Sequence, residues 1–201
     1  SCANGEYDDG YETTSHAASR LDAIFAVNGC YSAPYLNYTV VRSGVLCNGS
    51  GKNLWCPAVY SNQNGLLQSA WESGGTEGIA GANIDSLVES GLVTDTFCFG
   101  PPILVNGSVT AGSDGSRAQR TFIGTNGNPG DIWIVVSEGR NADGESAGLT
   151  YSQCARLLGE KGCIFGVPLD GGGSSTMVFQ GKVLNSAKAG QRSVVDFVYF
   201  K

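Results

Sequence analysis

Apolar residues in this chain come mostly in short runs broken by glycine and asparagine, and the three-to-four-residue spacing of an amphipathic helix is clear only after Thr150. Leu21 to Val27 stops at Asn28-Gly29, which predicts a strand followed by a tight turn. Residues 34–60 alternate weakly around a Gly/Asn turn (Asn48, Gly49, Ser50, Gly51) and read as a hairpin or meander, and residues 61–80 read as a loop. Asn83 to Ser90 predicts a short helix closed by Gly91. Ile103 to Val109, interrupted by Asn106-Gly107, carries the hairpin signal. Arg120 to Gly124 and Ile132 to Ser137 predict two strands joined by the turn from Asn126 to Gly130. Thr150 caps a helix to about Lys161, with Tyr151, Cys154, Ala155 and Leu158 on its apolar face and Gly162 as its stop. Ile164 to Leu169 is a buried strand, Ser175 to Val183 a hairpin turning at Gln180-Gly181, and Val194 to Phe200 a closing strand. Residues 1–20 are polar and predict an irregular arm ahead of one domain over 21–201.

The fold class is therefore α/β in the broad sense (α+β): a mixed, strand-dominated sheet core with a few helices, in a single domain. The 201 residues suit one domain, which at this size buries about 70% of its unfolded surface without help from metals or disulfides. Charged residues are only 15%, below the usual share of about 25%, and the 30 glycines show no collagen period. The net charge of −6 has no basic stripe to neutralise phosphates, which argues against nucleic acid as a partner. No apolar run approaches the roughly 18 residues of a membrane span. The absence of a starting Met and of a leader reads as a mature or excised domain. The lone histidine, His16, reads as a surface residue, and it leaves no imidazole set for Ser-His-Asp or Cys-His chemistry or for a His-rich zinc site.

Seven cysteines without a C-x-x-C pair argue against a zinc ribbon or a thioredoxin-type site and point to buried thiols or disulfides, with at least one cysteine free or paired between chains. Cys47 and Cys56 flank the Gly/Asn turn and suit a loop-closing bridge. Cys154 and Cys163 bracket the predicted helix, about 13 Å apart along its axis, too far to bond each other. Cysteine count and low charge suggest a secreted or cell-envelope-exposed protein. The N-x-[ST] triplets at Asn37, Asn48 and Asn106 add little, because such triplets arise by chance.

The sharpest local motif is Leu169-Asp170-Gly171-Gly172-Gly173-Ser174-Ser175-Thr176-Met177. A buried strand ends in a carboxylate, then three glycines, then three hydroxyls. Consecutive glycines cost conformational entropy, about 0.5–1 kcal/mol each relative to alanine in regular structure, and make sense where backbone must approach a ligand or turn sharply. Their amides with the Ser174 and Ser175 hydroxyls could form an anion-binding nest. A plain Gly-rich turn with Asp170 as its initiating acceptor is the simpler alternative. The P-loop spacing and its lysine are absent.

Other segments fall in one order with this motif: Ala26-Val27-Asn28-Gly29-Cys30-Tyr31, Gly100 to Gly107, Arg120-Thr121-Phe122-Ile123-Gly124, Glu138-Gly139-Arg140, Gly148-Leu149-Thr150, Gly181-Lys182-Val183-Leu184-Asn185 and Arg192-Ser193-Val194. Taken together, from about Asp22 to Lys201, they resemble the phosphodiester glycosidase family. The resemblance implies hydrolysis of a sugar-1-phosphodiester between the anomeric carbon and the phosphate oxygen. It also implies a surface cavity containing Asn28, Arg120, Thr121, Glu138, Asp170, Gly171, Gly172, Gly173, Ser174 and Arg192. Two positions depart from the family pattern. Glu138-Gly139 stands where Asp-Gly is usual, and Pro168 stands where Asn commonly precedes Leu-Asp-Gly-Gly-Gly. Both bear on substrate preference more than on reaction type.

The residues agree with that chemistry. Without histidine, acid–base work falls to carboxylates, and glycoside hydrolysis typically uses two. Asp170 and Glu138 end apolar strands, so Asp170 is assigned as base or nucleophile and Glu138 as support or second carboxylate, with the two roles open to exchange. The leaving phosphomonoester has a second pKa near 6, so neutralising its charge matters more than protonating it. Arg120 and Arg192 suit a phosphate clamp, because guanidinium binds phosphate oxygens bidentately. Asn28, Gly29, Thr121, Gly171 to Gly173, Ser174 and Ser175 would bind substrate. Tyr31, Trp55, Trp71 and Trp133 could stack on sugar or pack in the core. No cofactor is expected. Asp170, Asn28 and backbone carbonyls could hold Ca²⁺, but no loop has calcium spacing. The expected partner is a carbohydrate phosphodiester, a glycan or teichoic-acid-like polymer, and nothing in the sequence sets an oligomeric state. Two alternatives stand beside this reading: a non-catalytic glycan- or wall-binding module, and a phosphodiesterase releasing sugar-1-phosphate.

Overall fold

The computed structural model describes residues 2, 10–30, 39–48, 57–69, 84–112, 116–139, 147–185 and 190–201. Among these the chain is strand-dominated α+β, and every strand pair is antiparallel where the sequence had left the sheet mixed.

Helix α1 (Thr14–Arg20) precedes β1 (Phe25–Asn28). The hairpins β2 (Val40–Arg42)–β3 (Val45–Asn48) and β4 (Ala58–Ser61)–β5 (Leu66–Ser69) follow, then α2 (Ile84–Glu89) and β6 (Asp95–Phe97). The next elements are β7 (Leu104–Val105), β8 (Ser108–Val109), β9 (Thr121–Thr125), β10 (Ile132–Val136) and α3 (Tyr151–Glu160). The chain ends with β11 (Phe165–Pro168), β12 (Met177–Phe179), β13 (Lys182–Val183) and β14 (Phe197–Phe200). Two larger sheets, ordered β13-β12-β1-β14 and β10-β9-β11-β7-β8, are joined by β2-β3 and by β5-β4-β6.

Local chemistry sets the best-defined elements. Asn106 and Gly107, at φ 49° and 74°, make the two-residue hairpin turn between β7 and β8 whose twist matches the strands. Ser43-Gly44 and Gln180-Gly181 turn in the same way. Thr150 and Gln153 form a reciprocal capping box at the start of α3. That helix lays Cys154, Ala155 and Leu158 against Leu104 and Phe122.

Three sequence readings are corrected. Residues 14–20, read as irregular, form α1: Thr13 accepts from the His16 amide at 3.3 Å, and Ala17 and Ala18 are buried against the β1–β14 side. Small alanines permit this close approach but leave no periodic pattern of large apolar residues to read. Within the presumed loop of residues 61–80, Leu66–Ser69 pair with β4 as β5, while residues 70–80 lie outside the described set. Cys47 carries a free thiol whose S–H points to the Val45 carbonyl at 3.5 Å, so the expected bridge is absent at that end, and Cys56 lies outside the described residues. Cys154 and Cys163 share one core cluster because the chain reverses at Gly162, yet Cys163 also remains a free thiol. No helix among the described residues is long and apolar enough to cross a membrane.

Candidate active site

Strand register decides which residues meet. Thr121 at the start of β9 stands opposite Val136 at the end of β10, and Phe122 opposite Pro168 at the end of β11. The segments before β9 and after β10 and β11 therefore emerge at one sheet edge. In the other sheet β1 ends at Asn28, opposite Phe197 at the start of β14. Asn28 closes the gap between the sheets.

Asn28 is fully buried and its whole amide is engaged. Nδ2 donates to the Asp170 carbonyl at 2.7 Å and reaches the Gly29 carbonyl at 3.5 Å. Oδ1 accepts from the Thr121 hydroxyl at 2.8 Å and the Thr176 amide at 3.1 Å. Asn28 and Thr121, expected to bind substrate, thus form the scaffold under the aspartate loop. Gly29 is buried too: its carbonyl accepts the Asp170 N–H at 3.0 Å.

Asp170 is held from below and open only at its edge, 7% exposed. Burial pushes its carboxyl above the usual aspartate range, and nearby Asp196 adds to that. Hydrogen bonds from Ser174 and from the Gly171 amide (2.8 Å to Oδ1), together with the Arg192 charge, oppose the rise.

Two of the three glycine amides that could have formed an anion nest are taken by the protein itself. The Gly171 N–H points to Asp170, and the Gly172 N–H to the Gln119 carbonyl at 2.9 Å. Gly172 to Ser174 instead wind one 3₁₀ turn that brings Ser174 back to Asp170. Arg192 is exposed; its Nη1 lies 3.4 Å from Ser174 Oγ, and its guanidinium lies over Gly173, where a Cβ would meet Nη2 at 3.2 Å. Ser175 is fully buried and its hydroxyl has no hydrogen-bond partner, so it offers no surface to substrate.

Arg120 is buried, with its ring-like face on Tyr151 at 3.9 Å. Its Nε donates to the Leu149 carbonyl at 3.1 Å and Nη2 to the Ser116 carbonyl at 3.1 Å. Nη1 lies beneath Gly171, 3.8 Å from where a Cβ would stand. Arg120 therefore braces the wall and adds positive potential under the glycines, while Arg192 is the solvent-facing cation. Glu138 is half-buried just beyond β10 at the same edge. Its neighbour Gly139 abuts Gln119, the residue that accepts from Gly172.

Sequence reasoning missed Asp196 and Arg42. Asp196 is 2% exposed and forms an ion pair with Arg42. Its Oδ1 accepts the Cys30 amide at 2.6 Å, and its carbonyl accepts the Gly29 amide at 2.9 Å. The available signal was a charge inside an apolar run, Val194-Val195-Asp196-Phe197 and Val40-Val41-Arg42, since a charge so placed needs a partner.

A cavity of about 280 Å³ is lined by Gly29, Cys30, Arg42, Tyr60, Asp95 and Asp196 among others, and Asp170 is not part of its lining. No group of three metal-ligating side chains gathers among the described residues. His16 is a surface residue, 68% exposed at its side chain and 2.6 Å from Glu12. Trp133 is exposed on β10 with the Lys161 ammonium over its ring, and Tyr31, Trp55 and Trp71 lie outside the described residues.

Comparison with solved structures places the whole fold. The zebrafish N-acetylglucosamine-1-phosphodiester α-N-acetylglucosaminidase catalytic domain, auto-inhibited by its pro-peptide, superposes with a TM-score of 0.73 at 16% identity, over 95% of this chain and 67% of that one. A hypothetical protein from Synechocystis gives 0.59 at 16% identity, over 96% and 54% of the two chains. A Burkholderia pseudomallei protein gives 0.65 at 15% identity, over 98% and 69%. No curated protein matches the chain. The phosphodiester glycosidase family model matches residues 22–201, a span that takes in both sheets and every residue of the site edge, and the chain belongs to that family.

Proposed function

We propose that this chain is a hydrolase that cleaves the glycosidic bond of a sugar-1-phosphodiester of the N-acetylglucosamine-1-phosphate type, releasing free sugar and a phosphomonoester. Extracellular or cell-wall glycans are the substrates that the low charge and family membership favour. One observation carries the reading. A water-shielded carboxylate, Asp170, and an exposed guanidinium, Arg192, converge on the same hydroxyl, Ser174, at the edge of the family's matched domain.

The division of labour follows from charge. Breaking the bond between the anomeric carbon and the bridging oxygen leaves both electrons on a phosphate that is already a good leaving group. Arg192 binds that phosphate and offsets its growing charge, with Arg120 adding potential from beneath Gly171. Asp170 acts at the anomeric carbon, either taking a proton from the attacking water or attacking directly. Its partial burial strengthens it as a base relative to an exposed aspartate. Glu138 is the candidate second carboxylate.

The test is incubation with UDP-N-acetylglucosamine and with an alkyl N-acetylglucosamine-1-phosphodiester, wild type beside Asp170→Asn, with products read by NMR. Free N-acetylglucosamine from the wild type only supports the proposal. Sugar-1-phosphate as product would assign phosphodiesterase chemistry instead. Saturable binding without any product would assign a binding module.

A further inference from the structure

We propose that the buried Arg42–Asp196 ion pair is the positioning element of this active site, setting the backbone that presents Asp170. The inference rests on the hydrolase reading above, and it concerns two residues outside the eight segments that carry the family resemblance.

Three contacts make the connection. Asp196 grips both sides of one turn: its carbonyl takes the Gly29 N–H at 2.9 Å and its Oδ1 the Cys30 N–H at 2.6 Å. The Gly29 carbonyl then takes the Asp170 N–H at 3.0 Å. One turn thus lies between the two aspartates, bonded to each. The fit on the Asp196 side is tight, because a Cβ at Gly29 would overlap the Asp196 carboxyl group.

Arg42 fixes Asp196 in turn. Its Nη2 pairs with Asp196 Oδ2, and its Nη1 donates to the Val41 carbonyl at 2.7 Å and the Thr96 carbonyl at 2.8 Å. The guanidinium therefore ties Asp196 to β2 and β6. A buried pair of this kind is weak as a source of stability, since an apolar pair of similar volume does as well or better. It is strong as a directional clamp, since two carboxylate oxygens and one carbonyl are assigned to three different donors.

The clamp is also electrical. Groups facing Asp170 are Arg192 and Ser174 from its exposed side, Arg120 beneath Gly171, and Asp196 across the Gly29 turn. Asp196 itself faces Arg42, Cys30, Cys2 and Asp95. The Asp196 charge raises the Asp170 carboxyl. Neutralising it lowers the pH at which Asp170 ionises.

Asp196→Asn is the probe, because the amide keeps an acceptor for Cys30 and loses the charge. Turnover of the alkyl N-acetylglucosamine-1-phosphodiester, its pH profile, and the ¹³C titration of the Asp170 carboxyl are measured together, with folding followed by circular dichroism. The expected result is kcat down by about 10- to 100-fold, the loss typical of a reacting group displaced by about 1 Å, with KM changed less than threefold. The acid limb and the Asp170 titration both move to lower pH. Arg42→Lys should give a smaller loss of kcat in the same direction. Unchanged kcat and unchanged titration in a folded Asp196→Asn protein overturn the proposal. If Asp196→Asn does not fold, Arg42→Lys decides, and failure of both to fold overturns it by assigning the pair to stability alone. If the wild type hydrolyses nothing, the hydrolase reading fails, and the Asp170 titration still tests the clamp.

Discussion

The Asn28 side-chain amide donates to the main-chain carbonyl of Asp170 at 2.7 Å, across 142 residues of sequence, and this bond joins the two large sheets at the site. Because Asn28 has no exposed surface, its removal acts through what it leaves behind. Asn28→Ala orphans the Thr121 hydroxyl, the Thr176 amide and the Asp170 carbonyl in a buried place. Each buried unsatisfied group costs about 1–3 kcal/mol. Urea unfolding should therefore show a loss of about 3 kcal/mol or more. A loss below about 1 kcal/mol would mean that water enters and replaces the amide.

Burial of the ionisable carboxyl of Asp170 works against stability once that group is charged. Its folded pKa is raised, so between the unfolded value near 3.9 and the higher folded value the native state binds more protons than the unfolded state. Stability contributed at this position is thus present at low pH and falls as pH rises through that window. Asp170→Asn retains an acceptor for the Gly171 amide and removes the buried charge. It should abolish turnover, melt at or above the wild-type temperature at pH 7, and lose that advantage near pH 3. A variant that melts lower at pH 7 would show that the ionised carboxylate is a net stabiliser, against the burial effect.

What could be read from the sequence was what local chemistry decides. The turn at Asn106-Gly107 and the helix cap at Thr150 are each complete within a few residues, and both stand as expected; the reciprocal bond from Gln153 is an addition the structure makes. Strand β6 was invisible because Asp95–Phe97 is three residues long and exists through pairing with β4. The site divides in the same way. Asp170 stood out because a carboxylate before three glycines is unusual in any fold, whereas Asn28 looked like a turn residue or a ligand group and is a buried bracket. Asp196 had no legible role because its partner Arg42 lies 154 residues away. The glycine amides looked free because nothing local shows that Gln119, before β9, turns its carbonyl to Gly172.

Gly124 and Gly166 face each other across β9 and β11, and Leu158 of α3 fills the notch they leave. A Cβ on Gly124 would come within 2.8 Å of Leu158 Cδ2 and 3.0 Å of the Phe165 carbonyl, and one on Gly166 would overlap Leu158 Cδ1. Gly166→Ala should cost about 1–3 kcal/mol by overpacking, and Leu158→Ala about 2–5 kcal/mol by leaving a cavity. The double variant should be less destabilised than the sum, because each change relieves the other. Strict additivity in a thermal-melt cycle would mean that α3 shifts as a body and the notch does not hold it.

Arg192 tests the charge balance at the site from its exposed side. Its charge lowers the Asp170 carboxyl, opposing burial and Asp196. Arg192→Ala removes that opposition, so Asp170 should ionise at higher pH and the acid limb of the rate profile should move up. This is the reverse of the shift expected for Asp196→Asn. The same variant loses the cation nearest Ser174, so KM for a phosphodiester substrate should rise about tenfold or more, the scale of one charge-assisted contact worth 1.5–3 kcal/mol. Stability should change by less than about 0.5 kcal/mol, as for most exposed positions. Arg192→Lys keeps the charge without the planar fork; it should restore the pH profile and only part of the affinity. If Arg192→Ala raises KM but leaves the acid limb in place, the limb belongs to a group other than Asp170, and Glu138 becomes the first residue to titrate.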